Sequence, residues 1–181
     1  KLQAGHTYTL VSRYAVDPNN AAQYTDYWFN NAFTLNKQAY YIDNLTPTVS
    51  KTTSKDKKAT SYQIIGVHVS GWMVSDYTMS QPNAYLILLN DKEQELARQN
   101  VKLTERADVA KVYPSIANSG KSGFSTDIKL NKAITLDKDS TENLHFVLRF
   151  TDGKSGNPTK TDQTADQTSS DYVIKGEELV K

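Results

Sequence analysis

Three histidines, His6, His68 and His145, are the side chains best suited to acid–base or metal chemistry near neutral pH. No two have the four-residue helical spacing that turns a pair of imidazoles toward one zinc ion. His68 and His145 fall within alternating strands, opposite the apolar faces, and His6 precedes a strand, so all three read as exposed strand histidines. No serine occupies a Gly-x-Ser-x-Gly turn, and no histidine is identifiably placed as its base. The carboxylate pairs Asp137/Asp139, Glu177/Glu178 and Glu93/Glu95 fall in turns, near the last residue or along an exposed hairpin. A pair assembled from distant residues stays open. Ser119–Gly123 (SGKSG) lacks the strand-to-helix setting of a phosphate-binding loop. Asp152, Asp162 and Asp166 have no EF-hand spacing and read as solvated. The expectation is a chain that is not an enzyme and carries no metal or cofactor.

Charged residues in the strands read better as braces. Arg106 and Asp108 flank the start of a short helical stretch, where the acid complements the first turn and the arginine can tie the helix to a neighbouring loop. Arg13 and Arg149 lie opposite the aromatic faces of two similar strands, each placed to bond a carboxylate such as Asp26 or Asp171. The alternative is a sugar- or phosphate-binding arginine. Aromatic residues make up 10% of the chain, 11 of them tyrosines, enough for a sugar-stacking platform drawn from Tyr24, Tyr27, Trp28, Phe29, Tyr40, Tyr41, Trp72, Tyr77 and Tyr85. The plainer role is sandwich packing with hydroxyls at the rim. Tyr77, in a polar stretch, is expected to be exposed, and with Tyr27 and Trp28 forms the candidate ligand-binding set. Lys51, Lys55, Lys57 and Lys58 suit teichoic acid phosphates, or simple solvation.

The elements that must position these residues have period two. Leu144, Phe146, Leu148 and Phe150 alternate with polar or smaller residues, as do Tyr8–Tyr14 and Phe124–Leu130. Tyr62–Ser70 places Ile65, Val67 and Val69 on one face. Tyr85–Leu89 (YLILL) is apolar throughout, the mark of a central strand covered on both sides. It turns at Asn90–Lys92 into a second strand bearing Ala97, Gln99, Val101 and Leu103. One helix is expected over Arg106–Tyr113, capped by Thr104, stopped by Pro114, with Val109 and Val112 on one face. Residues 50–60 and 152–170 are polar and read as flexible.

With 181 residues, 21 Lys+Arg and 20 Asp+Glu, the chain has a net charge of +1. That balance argues against nucleic acid, which needs a concentrated positive surface. The longest apolar run is too short for a helix to span a bilayer, so the chain is not expected to be membrane-embedded. Absence of cysteine leaves stability to the packed core.

The chain also repeats itself. Tyr8–Tyr14 (YTLVSRY) matches Leu144–Phe150 (LHFVLRF), with Arg13 over Arg149, and Thr25–Trp28 aligns with Ser170–Val173, leaving nine extra residues in the second loop. A repeat of this length indicates tandem domains. Gly71-Trp72, Tyr85–Leu89, Leu96–Gln99, Arg106–Ala110, Tyr113-Pro114, Ser119–Phe124, Leu148–Phe150 and Asp171-Tyr172, in that order, resemble a repeated module of secreted lactic-acid-bacterial proteins. Such modules occur beside cell-wall hydrolases and in surface-layer-associated or adhesive proteins of lactobacilli. The likeness spans about residues 62 to 175; Val173 and the 152–170 loop depart from it. It implies an accessory, extracellular role at the cell surface or wall.

The expected fold is therefore all-β, an immunoglobulin-like sandwich of about seven strands with one short helix. Residues 1–37 are expected to form the closing hairpin of a preceding module and residues 38–181 a complete module. The expected function is a non-catalytic spacer or cell-wall-attachment module. The alternative is a carbohydrate-binding module, with cell-wall polysaccharide, teichoic acid or surface glycan as candidate partners. The N-terminal hairpin is expected to pack on the main domain or on another chain.

Overall fold

A computed structural model describes residues 2–3, 5–15, 24–53, 60–160 and 164–180. The described chain is all-β: β1 (Thr7–Ala15), β2 (Tyr24–Thr34), β3 (Gln38–Thr53), β4 (Thr60–Ser75), β5 (Asn83–Asn90), β6 (Glu95–Val101), β7 (Thr104–Glu105), β8 (Lys121–Leu136), β9 (Thr141–Thr151), β10 (Thr164–Thr168) and β11 (Tyr172–Lys175). One α-helix, α1 (Ala107–Val112), and two 3-10 turns complete it. Every strand pairing is antiparallel. One sheet has the order β3-β4-β8-β7, and a second β10-β9-β5-β6 with β11 also on β9; β1 and β2 form a two-stranded sheet of their own.

The two larger sheets enclose one core, giving the body a sandwich-like build. Ile64, Val67 and Val69 of β4 and Ile128 of β8 meet Leu86 and Leu88 of β5 and Phe146, Leu148 and Phe150 of β9 in a single apolar cluster. Burying such side chains is worth about 1.5–3 kcal/mol each. As the apolar run requires, β5 lies inside its sheet, between β9 and β6, with Tyr85 and Ile87 buried on one face and Leu86 and Leu88 on the other. Asn90 builds the turn into β6: its Oδ1 accepts from the N–H groups of Lys92 and Gln94 at 3.0 and 2.9 Å.

The described residues hold eleven strands rather than about seven. β8 runs on to Leu136, and β3 and β4 reach into the polar 50–60 stretch, because main-chain pairing extends past the apolar residues. The two-residue β7 and four-residue β11 are too short to show a period. Ile65 does not join Val67 and Val69: a register shift between Ile64 and Gly66 leaves Ile65 exposed and Ile64 fully buried.

The helix begins one residue late and without Thr104 as its cap, since Thr104 Oγ1 donates to the Gly123 carbonyl at 3.1 Å. Val109 packs with Val74 and Ile116, beside a ring contact of 5.3 Å between Trp72 and Tyr113, whereas Val112 faces solvent.

Residues 152–160 are braced against the second sheet. The Tyr85 hydroxyl donates to the Lys154 carbonyl, Arg98 reaches Ser155 O and Asn157 Oδ1, and Arg149 reaches Gly156 O. Gly156 has φ +81°, and a Cβ there would meet Tyr85 Cδ1 at 2.9 Å, so the loop requires glycine. Residues 164–168, expected to be flexible, form β10.

Candidate functional site

Arg106 precedes α1 and carries the clasp expected of it. Its Nε and Nη2 donate to Asp108 at 2.9 and 2.7 Å, and Nη1 reaches Asp43 at 3.0 Å. The anchor is thus a strand rather than a loop: Asp43 lies where the β3–β4 register shifts between Ile42 and Asn44. The guanidinium hydrogen bond holds the Asp108 carboxyl down at about 2, and the same bonds raise Arg106. All three charged groups serve each other.

Arg13 grips Asp26 through two bonds of 2.7 and 2.8 Å, and Arg149 grips Asp166 through two of 2.7 Å. The hydrogen-bonded partner raises each arginine, and Arg13 lowers Asp26. Arg149 was expected on Asp171; the cross-strand partner is Asp166 because β10, not the later β11, lies opposite residues 147–151. Each fork therefore joins directly opposed residues. The sequence separation is 13 in the first and 17 in the second, so the second loop carries four extra residues and not nine.

The histidines depart from expectation in two ways. His145 is buried, its side chain 7% exposed, with Nε2 3.4 Å from Glu93 and Nδ1 3.6 Å from Asp171. His68 is half-open and lies between two β8 side chains, with Nδ1 2.7 Å from Asp127 Oδ1 and Nε2 3.4 Å from Ser125 Oγ. Ser125, His68 and Asp127 thus line up in the order of a hydrolytic triad. Sequence reasoning missed this because it depends on the β4–β8 register, which sets His68 opposite Asp127 and Ser70 opposite Ser125. The row lies on the solvent face, Asp127 being 85% exposed in its side chain. Among the described residues no group of three His, Cys, Asp or Glu could hold a metal ion.

Of the candidate ligand set, Tyr27 and Trp28 are 60% and 67% exposed. With Ser12, Tyr14, Thr25 and Phe29 they line an open concavity of about 640 Å³ on the hairpin. Tyr14 and Tyr27 meet edge to face at 5.7 Å, and the Arg13 guanidinium lies 3.8 Å from the Tyr24 ring centre. Tyr77 does not join them. It sits in the 3-10 turn Asp76–Met79, half-buried against the core, because the buried Asp76 carboxylate pulls that turn inward by accepting from the N–H groups of Lys37 and Ala117. Tyr85, another aromatic candidate, is buried in β5.

Asp152 accepts from the Thr159 N–H at 2.9 Å and from its hydroxyl, which lowers its carboxyl, and Asp166 is held by Arg149. Asp162 and Lys55, Lys57 and Lys58 lie outside the described residues; Lys51 has its ammonium 5.7 Å from the Tyr62 ring. No helix among the described residues is long and apolar enough to cross a membrane. No protein family, curated protein or solved structure matches the chain.

Proposed function

We propose that this chain is a non-catalytic module of a larger bacterial surface or cell-wall-associated protein, extracellular, and of the immunoglobulin-like sandwich kind. It would act as a spacer or attachment unit, like the repeated modules of secreted lactobacillar proteins that its sequence resembles. The observation that carries this reading is the duplicated hairpin: β1 and β2 repeat the cross-strand arginine–aspartate fork of β9 and β10. Duplication of a structural unit within one chain is the mark of an array, in which weak contacts from many units add up. The braced arginines and the apolar interior suit a stiff element of fixed length.

A second reading has its own support. The open concavity of Tyr14, Tyr27, Trp28 and Phe29 offers ring faces of the sort that pack on sugars, which would make the chain a carbohydrate-binding module for a cell-wall or host glycan. Titration of the chain with peptidoglycan fragments, teichoic acid and simple glycans, together with incubation on labelled cell wall, separates the readings. A spacer gives no saturable binding by the single unit and releases no product. Saturable binding lost in Trp28→Ala favours the glycan module. Product release lost in Ser125→Ala would make the chain an enzyme and end both.

A further inference from the structure

The hairpin and the last strands of the body share more than one ion pair. Ser12 faces Tyr27 as Leu148 faces Gln167, Tyr14 faces Thr25 as Phe150 faces Ala165, and Val11 faces Trp28 as Val147 faces Thr168. The ladders are then interrupted at the same place. β2 takes a register shift between the partners of Thr9 and Val11, where the body breaks between β10 and β11. Beyond it Tyr8 faces Phe33 as Leu144 faces Tyr172.

The two copies differ in what covers them. β9 has β5 along its other edge, with Tyr85 opposite Arg149 and Leu88 opposite Phe146, and its Leu144, Phe146 and Leu148 are fully buried. Among the described residues β1 pairs with β2 alone, and Leu10 and Tyr14, the counterparts of Phe146 and Phe150, stand 58% and 65% exposed.

We propose that the hairpin completes another module: the free edge of β1 takes a strand of the β5 kind, in the register of β5 on β9, from the body of a like module upstream in a longer chain. This rests on the tandem-module reading above. The molecule itself supplies the template, since β5 is what covers this hairpin's counterpart. A second copy of this chain fits less well, because its β5 is already flanked by β9 and β6 and would have to release β9. A glycan would not account for a shared register. The template also supplies a ruler. Tyr85 and Arg149 are opposed across 64 positions, so the partner strand should centre at that distance before Arg13.

The test compares the 181-residue chain with one extended upstream by the repeat distance. In the extended chain the β1 amides should exchange with solvent at least ~100-fold more slowly than in the short one. Leu10→Asp should abolish that protection while leaving the exchange of β5 and β9 unchanged in both chains. The proposal is overturned if β1 exchanges equally fast in the two chains or if Leu10→Asp leaves its protection intact. It is also overturned if protection rises with protein concentration, the sign of a second copy, or if no apolar strand precedes Arg13 at the expected distance. Release of product from labelled cell wall by the extended chain would defeat the non-catalytic reading without altering β1 protection, so the two failures are separable.

Discussion

Three arginine–aspartate forks brace this protein. Each of Arg13, Arg106 and Arg149 meets a carboxylate through two parallel bonds, a geometry that fixes direction as well as charge. The acid response follows from Asp108, whose carboxyl is held at about 2 by the Arg106 hydrogen bond, below its ordinary value of 3.8. A group depressed on folding stabilises the native state above its unfolded pKa, and that contribution fades as pH falls through the folded value. Thermal melts from pH 6 to pH 2 should therefore show a decline between about pH 4 and pH 2 that is shallower in Asp108→Asn than in the parent chain. Identical slopes would mean that the clasp adds nothing to stability. The Arg106–Asp108 half of this brace was legible from a two-residue spacing beside a helix start. Asp43 was not, because it reaches Arg106 across 63 positions that only the fold brings together. The same holds for Ser125, His68 and Asp127, three unremarkable residues until two strands align.

Among the elements, the strands with strong apolar patterns were the readable ones. β5 and β9 declare themselves through runs of Leu, Ile and Phe, and their central positions follow. β4 was misread at one residue, since alternation breaks at a bulge that leaves no mark in composition. β3 and the far end of β8 were missed for a different reason: polar side chains can pair their backbones as well as apolar ones. β4 also depends on a residue whose role is invisible in sequence. A Cβ on Gly71 would lie 2.2 Å from the Tyr41 carbonyl and 3.0 Å from Phe124 Cζ, squeezed between β3 and β8. Gly71→Ala should destabilise the body by about 1–3 kcal/mol, as overpacking of a tight interior does. Urea unfolding reads this as a lower midpoint, and an unchanged midpoint would show that β3 can give way.

The molecule as a whole divides by what is covered. Eight strands share a core in which the large side chains are almost wholly shielded, while β1 and β2 pair only with each other among the described residues and leave Leu10, Trp28 and Phe29 open. The sequence reading expected these three to be packed away, on the main domain or on another chain. Within the described residues they are not, because β1 and β2 join neither of the larger sheets. An isolated two-stranded hairpin is marginally stable in water. Its fork at Arg13 and Asp26 is solvent-exposed and adds little to what the ladder supplies. The repeat was visible at the arginines, but the aspartates were aligned to the wrong strand, since a break between β10 and β11 shifted everything after it. Residue-resolved hydrogen exchange on the 181-residue chain tests this division most directly. The account predicts that β5 and β9 amides exchange only through global unfolding, while those of β1 and β2 exchange at least ~100-fold faster. Equal protection in the hairpin and the body would contradict it.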